Sequence, residues 1–254
     1  MTAAPAQAAL LAGRNIRRLR TPATVFGAVV IPLVFFIGFS AVLGRMLEYR
    51  GLDAAQYLTP AIVAQAGMFT AMSAGFAVSS DVAERVIVRF RTMSVGWPAI
   101  LAGRLAADGL RVVGSVLVVT LAGMVAGFRF HGTALATAGF GALAVLFTLV
   151  LATGASALGA GSDDPESVNA LLQIPYLPLI MLSSAFVPVA AFPGWLEPVI
   201  RNSPVTAVVE ALRGLADAEP GTPALPAALT WLAVLGLLFV VLFQRSLRTA
   251  MVPK

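Results

Sequence analysis

The chain has 254 residues, of which 59% are apolar and 11% are charged, and its mean hydropathy is +0.90. Soluble globular proteins carry about 25% charged residues, so most of this surface is predicted to face something other than water. The chain has no cysteine, its only lysine is Lys254 and its only histidine is His131, which excludes disulfides, a lysine-containing ATP-binding P-loop and a clustered metal site.

Residues 6–20 are predicted to form a helix that lies on the membrane surface. One face carries apolar residues at helical spacing, and arginines suited to anionic headgroups lie opposite. The apolar face consists of Ala8, Ala12, Ile16 and Leu19, and the basic face of Arg14, Arg17 and Arg18. The alternative is that these arginines only orient the first span. The segment lacks an apolar core and a cleavage site, so it is not interpreted as a signal peptide.

Six stretches contain no Asp, Glu, Lys or Arg, and each is a candidate membrane span. They are 21–44, 54–80, 112–128, 130–162, 167–196 and 220–244. A span needs about 20 mainly apolar residues. The third stretch, 112–128, is therefore expected to extend back into 104–111, which places Asp108 near the membrane edge. The predicted fold is an all-α integral membrane protein with six transmembrane helices in a single domain, 1–254.

The distribution of cations predicts that both termini are cytoplasmic. With six spans, twelve cations fall on the side of the termini and five on the other, which follows the positive-inside rule. The twelve are Arg14, Arg17, Arg18, Arg20, Arg85, Arg89, Arg91, Arg104, Arg111, Arg245, Arg248 and Lys254. The five are Arg45, Arg50, Arg129, Arg201 and Arg213.

Residues 81–96 lie in the longest charged cytoplasmic region and are predicted to form a short helix. Asp81 followed by Glu84 resembles a helix capping box. An apolar stripe at helical spacing comprises Val82, Val86, Phe90 and Met93. A charged helix with one apolar face suits docking into another protein. The alternative is an ordinary interfacial loop helix.

Residues 186–215 are predicted to lie on the outer side and to be broken into short pieces by four prolines, because helices seldom continue through the residue before a proline. The prolines are Pro188, Pro193, Pro198 and Pro204. A short amphipathic helix is predicted after them, with Glu210 and Arg213 on its polar side. Non-helical backbone at membrane depth needs cover from protein or a wet cavity. Residues 190–216 are therefore interpreted as a re-entrant hairpin that caps a pathway.

Several motifs of this segment resemble the signature of type 2 ABC exporter permeases, close to the daunorubicin-resistance branch. They are Phe186-Val-Pro, Phe192-Pro-Gly-Trp-Leu, Asn202-Ser-Pro-Val-Thr and Val209-Glu-Ala-Leu-Arg-Gly. Upstream, the region from Asp81 to Arg104 is similar to the coupling-helix region of that family. The resemblance covers nearly the whole chain, in the expected order.

The resemblance implies a permease subunit of an ATP-driven exporter that is not itself an enzyme. It implies that a separate cytoplasmic ATPase binds ATP and Mg, and that two permease chains, identical or paralogous, pair in the bacterial cytoplasmic membrane. The expected cargo is an amphipathic drug, natural product or lipid. Membrane lipids are expected contacts, and nucleic acid is not.

The resemblance also implies three sets of functional residues. Contacts with the ATPase are expected from Glu84, Arg85, Val88, Arg91 and Met93. The first, second and fifth spans are expected to line the pathway. Candidate side chains are chosen by residue type, because adaptable apolar groups accommodate varied ligands, and the alternative is that they face lipid; they are Phe35, Phe39, Met68, Phe69, Met72 and Leu179. The outer gate is expected to comprise Phe186, Pro188, Pro193, Trp195, Asn202, Pro204, Glu210 and Arg213.

Asp108 leaves a second function open. It stands four residues after Arg104 and three before Arg111, so it is interpreted as a member of an ion pair, but an intramembrane carboxylate also suits a proton-coupled secondary transporter. That class often contains inverted repeats, and none is evident here. An intramembrane serine hydrolase centred on Ser156 would need a histidine base, and His131 lies outside that span.

Overall fold

The computed structural model describes residues 22–86, 97–218 and 223–250, and every regular element in these ranges is helical. The long helices are α1 (Pro22–Tyr49), α2 (Ala54–Ala83), α3 (Trp97–Ala126), α4 (Ala134–Ala160), α5 (Pro165–Met181) and α8 (Ala224–Ala250). The connection between α5 and α8 contains a 3₁₀ turn (Val189–Ala191), α6 (Glu197–Arg201) and α7 (Pro204–Ala216). The predicted surface helix at 6–20 lies outside the described residues.

Five helices in the described ranges are long and apolar enough to cross a membrane. These segments are Val30–Tyr49, Ala54–Ala83, Pro98–Ala126, Ala134–Ala160 and Ala224–Thr249. The remaining predicted stretch, 167–196, the fifth along the chain, contains α5 of 17 residues, followed by turns and the 3₁₀ segment. The all-helical membrane fold is therefore confirmed with five candidate spans.

The start of α5 follows from two adjacent residues. The carboxylate of Asp164 accepts the backbone N–H of Glu166 at 3.2 Å, and Pro165 occupies the first turn, where its missing N–H costs nothing. An Asp-Pro pair of this kind is a helix-start signal that can be read from the sequence. The hydroxyl of Ser167 also donates to Asp164, and this hydrogen bond holds the pKa of the exposed carboxyl below its usual range.

Helix α2 is the centre of the bundle. It packs against α1, α3, α4, α5 and α7, and 72% of its most apolar window is buried, compared with 11% for α8. A helix that is apolar on all sides suits this position because every face meets another helix. Residues on different faces of α2 therefore meet different structural environments.

The face of α2 towards α4 is closed by small residues. A Cβ atom built on Gly159 of α4 would lie 2.2 Å from the carbonyl oxygen of Gly75 on α2. Gly154 meets the ring of Phe239 on α8, where a Cβ would lie 2.8 Å from a ring carbon. Small residues such as Gly154 and Gly159 let the helices approach closely at these points.

Candidate functional site

A cavity of about 750 Å³ lies on another face of α2, where α1, α3 and α5 also contribute to the wall. Its aromatic lining comprises Phe35, Phe69, Phe76 and Tyr176. Its polar lining comprises Thr70, Ser73, Arg111, Ser115, Asn169 and Gln173. Mostly apolar walls with a few convergent polar groups are typical of a small-molecule site.

Three of the six predicted pathway residues line this cavity. They are Phe35, Phe69 and Met72. The other three lie elsewhere in the bundle: Phe39 stacks on Phe186, Met68 is 5% exposed within the core, and Leu179 packs against that core. Phe35 and Phe39 lie one helical turn apart, and only the structure shows which of them reaches the cavity.

A row of aromatic rings leads from the cavity to the connection between α5 and α8. The ring centroids of Tyr176 and Phe69 are 5.1 Å apart, and those of Phe69 and Phe35 are 5.5 Å apart. The row continues from Phe35 to Phe39 at 5.8 Å and from Phe39 to Phe186 at 4.0 Å. These separations are within or slightly below the usual range for interacting aromatic pairs. The cavity and the connecting segment are thus joined by direct side-chain contacts.

A buried amide supports the cavity wall. The Nε2 atom of Gln65, a residue that is 2% exposed, donates to the hydroxyl of Tyr176 at 2.9 Å. The other amide atom, Oε1, is buried and has no hydrogen-bond partner in the described residues. The sequence analysis did not select either residue; a glutamine inside a charge-free span was the available signal.

Two acid–arginine contacts lie where α2 and α3 pack together, beside a smaller cavity. Asp81 and Arg104 form a buried ion pair, and an oxygen of Asp108 lies 3.4 Å from a nitrogen of Arg111. The interpretation of Asp108 as a member of an ion pair is confirmed for Arg111. Arg104 instead reaches Asp81, because the helix starts at Trp97 and directs this side chain towards α2.

The predicted extension of the third span back into 104–111 is confirmed, because α3 begins at Trp97; Asp108 is 7% exposed, and its place near the membrane edge stays a prediction. One prediction about these helices is wrong. Asp81 was expected at the start of a helix, but α2 continues through Ala83 and Asp81 lies in its last turn. The longer helices leave Asp81 opposite Arg104, and the ion pair compensates for burying the acid.

The end of α2 coincides with the start of the predicted coupling segment. Glu84 and Arg85 are exposed there, and Arg85 adopts a left-handed backbone with φ of 55°, a conformation that commonly ends helices. The other predicted contacts with an ATPase, Val88, Arg91 and Met93, lie outside the described residues.

The amphipathic helix predicted near residue 205 is confirmed as α7, and its apolar residues are buried. Arg213 and Glu210 lie on the same side of this helix, as predicted, and are in contact, but Arg213 is only 8% exposed. Its guanidinium lies 3.6 Å from the centroid of the Tyr57 ring, a favourable cation–π position. Arg213 therefore belongs to the interior of the fold.

Arg213 joins α7 to α2 and to the segment that follows α5. Its nitrogens donate to the carbonyl oxygens of Tyr57 at 3.0 and 3.2 Å, of Ser184 at 3.1 Å and of Ala185 at 2.9 Å. It also contacts Glu210 at 2.8 Å. The hydroxyl of Tyr57 donates to the same Ser184 carbonyl at 2.8 Å. We call Arg213, Tyr57 and these carbonyls the Arg213 clasp.

The remaining predicted gate residues divide into a buried and an exposed group. Phe186 is buried beside the clasp, and Pro188, Pro204 and Glu210 are half-buried. Pro193, Trp195 and Asn202 are exposed, with Trp195 at 78%. The structure therefore brings Phe186, Glu210 and Arg213 to the clasp and leaves the turns around Trp195 on the surface.

Comparison with known proteins gives a family and named relatives. Residues 6–216 match the model of the ABC-2 type transporter family. A daunorubicin resistance ABC transporter permease protein from Streptomyces coeruleorubidus is 28% identical over 79% of this chain and 71% of its own length. A doxorubicin resistance ABC transporter permease protein from Mycobacterium tuberculosis is 30% identical over 85% of this chain and 81% of its own length.

Proposed function

The chain belongs to the ABC-2 type transporter family and is a membrane permease subunit of an ABC exporter; we propose that it moves an amphipathic small molecule out of the cytoplasm. The observation that carries this proposal is the cavity of about 750 Å³ among helices long enough to cross a membrane. Apolar walls with a few polar groups suit an amphipathic cargo. The relatives are named as daunorubicin and doxorubicin resistance permeases. On that basis we extend the efflux of a drug or natural product to this chain.

The energy comes from a partner subunit in this proposal. An ABC permease implies an ATPase partner, and the chain's only lysine, Lys254, does not follow a glycine-rich P-loop. ATP and Mg would therefore be held by a separate cytoplasmic ATPase. A second permease, identical or paralogous, would complete the transmembrane pathway.

The proposed topology has six spans and cytoplasmic termini, with α5 and the residues after it acting as the fifth crossing. The clasp then lies on the outer side, at the beginning of α2, and the Asp81–Arg104 pair lies at its cytoplasmic end. The twelve-to-five distribution of cations supports this orientation. In this arrangement the connection between α5 and α8, including the re-entrant region 190–216, caps the pathway.

The proposed contact with the ATPase is the segment 84–93, which begins where α2 ends. Exposure of Glu84 and Arg85 beside the Asp81–Arg104 pair supports a mechanical connection from this segment to both α2 and α3. Replacing Glu84 and Arg91 together by alanine is expected to leave membrane insertion intact and to uncouple ATP hydrolysis from transport. Wild-type coupling in this variant would remove the segment from the mechanism.

Inside-out membrane vesicles test the energy source directly. Vesicles containing this chain and the ABC ATPase that co-purifies with it are expected to accumulate a fluorescent amphipathic compound when ATP and Mg are supplied, and to do so in the presence of a protonophore. Accumulation that is abolished by the protonophore and indifferent to ATP would instead establish proton-coupled secondary transport. That alternative is not favoured, because the buried carboxylate of Asp108 already contacts Arg111.

A further inference from the structure

The three buried or largely buried arginines of the described helices differ in how well the protein satisfies them. Arg213 donates to three backbone carbonyls and to Glu210, and Arg104 forms a buried ion pair with Asp81. Arg111, whose side chain is 18% exposed, has a single contact with Asp108 at 3.4 Å. Its Nε atom is buried and has no hydrogen-bond partner in the described residues.

The contact of Arg111 with Asp108 is longer than a strong charge-assisted hydrogen bond, which measures about 2.7–2.9 Å. A guanidinium carries several N–H donors in a planar fork. Leaving such donors unsatisfied at a largely buried site is costly. The Nε atom is itself buried, but the Arg111 side chain is 18% exposed, so its outer nitrogens can donate to a ligand with oxygen acceptors.

Arg111 lines the cavity, and it is the sole charged residue among the described residues that do so. Asp108 is not part of this lining, so a molecule in the cavity meets the cation and not its counter-ion. Ser115 lies one turn along α3, and Asn169 and Gln173 lie one turn apart on α5. Four of the six polar lining residues thus come from α3 and α5, and the other two, Thr70 and Ser73, come from α2.

Another part of the wall is aromatic. Phe35 of α1 and Phe69 of α2 line the cavity with their ring centroids 5.5 Å apart, and Phe69 is 5.1 Å from the ring of Tyr176. Aromatic faces favour flat apolar ligands through stacking and burial. A ligand that satisfies both parts of the wall has a planar ring system and an oxygen anion.

We propose that this cavity binds planar aromatic acids, with the carboxylate or phenolate on the Arg111 guanidinium and the ring system against Phe35 and Phe69. This inference rests on the proposed function, since it names the chemical class of the cargo. A bond between a guanidinium and a carboxylate is charge-assisted and is frequently bidentate. Arg111 then acts as the residue that selects acidic over neutral or cationic compounds of the same shape.

Three pyrene compounds that differ only in their terminal group test the proposal on the full chain in phosphatidylcholine nanodiscs. They are 1-pyrenebutyric acid, 1-pyrenebutanol and 1-pyrenebutylamine. Saturable energy transfer from tryptophan to pyrene reports binding, and empty nanodiscs provide the correction for partition into lipid. We expect the acid to bind ~10-fold more tightly than the alcohol, since a hydrogen bond to a charged group contributes this much or more, and the amine to bind most weakly.

The Arg111→Gln variant is expected to lose the preference for the acid while binding the alcohol within about twofold of wild type, because only the charged contact is removed. Arg201→Gln is the matched control, since it makes the same change on an exposed side chain of α6. Arg111→Lys should keep part of the preference, because it retains the charge without the planar fork.

Arg111→Gln leaves Asp108 without its cation, so the double variant Asp108→Asn with Arg111→Gln provides a folded reference. Its thermal unfolding shows whether the fold is retained, and it too should bind acid and alcohol equally. Equal binding of acid and alcohol by the wild type, or a preference that survives in either variant, would overturn the proposal. Displacement of the acid by phosphatidylglycerol in the nanodisc would assign the cavity to a lipid headgroup and also overturn it.

These measurements need neither ATP nor a partner subunit. A failure of acid binding leaves ATP-driven export of other amphipathic compounds intact. Conversely, transport driven by protons would refute the exporter role while leaving the acid preference of the cavity in place.

Discussion

Arg213 of α7 and Arg111 of α3 lie beside distant parts of α2, and the protein uses these two arginine side chains differently. The clasp meets α2 at Tyr57, whereas Arg111 lies beside Ala77, twenty residues or about 30 Å further along the helix. Arg213 is almost fully hydrogen-bonded to backbone carbonyls, and Arg111 has one long contact and faces a cavity. The number of protein partners therefore separates an arginine that holds the fold together from one that is available to a ligand.

The largest effect is expected from breaking the clasp with Arg213→Ala. This change removes the arginine donors to the carbonyls of Tyr57, Ser184 and Ala185, leaving Ser184 only its bond from the Tyr57 hydroxyl, and removes the cation–π contact. We expect the free energy of unfolding to fall by roughly 3 kcal/mol or more, as for other buried networks, and transport to be lost with it. Thermal unfolding followed by circular dichroism in nanodiscs measures the change.

Arg201→Ala is the control for the clasp variant, because Arg201 pairs only with Glu197 on an exposed surface. Its stability should stay within about 0.5 kcal/mol of wild type. If Arg213→Ala proves as stable as Arg201→Ala, the clasp does not hold α7 and the segment after α5 to α2, and the contrast between Arg213 and Arg111 disappears.

The next largest loss of stability is expected where α2 packs closely against α4. In Gly159→Ala the new Cβ would lie 2.2 Å from the carbonyl oxygen of Gly75, so α2 and α4 must separate. We expect a loss of about 1–3 kcal/mol, which is typical of overpacking. Gly141→Ala on the same helix meets no atom within 4 Å and should be neutral or stabilising, since alanine favours helix. Equal unfolding temperatures for the two variants would contradict the close packing.

A smaller effect is expected at the cavity wall. Tyr176→Phe removes the hydroxyl that accepts from Gln65, which leaves a buried amide without a partner. We expect a loss of about 1–2 kcal/mol in thermal unfolding. Adding Gln65→Leu removes the unpartnered amide, so the double variant should recover most of the loss. A double variant less stable than Tyr176→Phe alone would show that the amide has another role.

The smallest expected effect is a change in how stability depends on acid pH, through the Asp164 carboxyl at the start of α5. The hydrogen bond from Ser167 lowers the pKa of Asp164 in the folded protein, so its contribution to stability is present above the ordinary aspartate pKa of about 3.9 and is lost as pH falls through the lowered value. In Ser167→Ala the folded-state pKa of Asp164 should lie closer to its ordinary value, so this contribution should be smaller and its loss should be complete at higher pH. Unfolding temperatures measured between neutral and strongly acid pH test this, and identical profiles for the two proteins would contradict it.

The helices were predictable from the sequence because charge is costly in a bilayer, so stretches without charge mark candidate spans. The start of α5 was predictable because Asp164 and Pro165 act through adjacent backbone. The burial of Arg213 was not predictable, since its acceptors are carbonyls of α2 and of the segment after α5. Every residue type supplies a backbone carbonyl, so the sequence does not reveal which carbonyls accept from an arginine.

The cavity was predictable only in part for a similar reason. Composition correctly suggested aromatic residues of the first two spans, but Phe35 lines the cavity and Phe39 stacks on Phe186. The pairing of Asp81 with Arg104 depends on where α2 ends and α3 begins, and these boundaries differ from the charge-free stretches. Rotation and length of the helices decide which side chains meet, and tertiary packing determines both.

Co-purification from the native host tests the central claim most directly. The tagged full chain is extracted in mild detergent, and its partners are identified and quantified by mass spectrometry. The account predicts a stoichiometric ABC ATPase whose hydrolysis of ATP depends on the presence of this chain. A well-folded preparation that contains no ATPase across several detergents would contradict the exporter account and direct attention to proton coupling through Asp108.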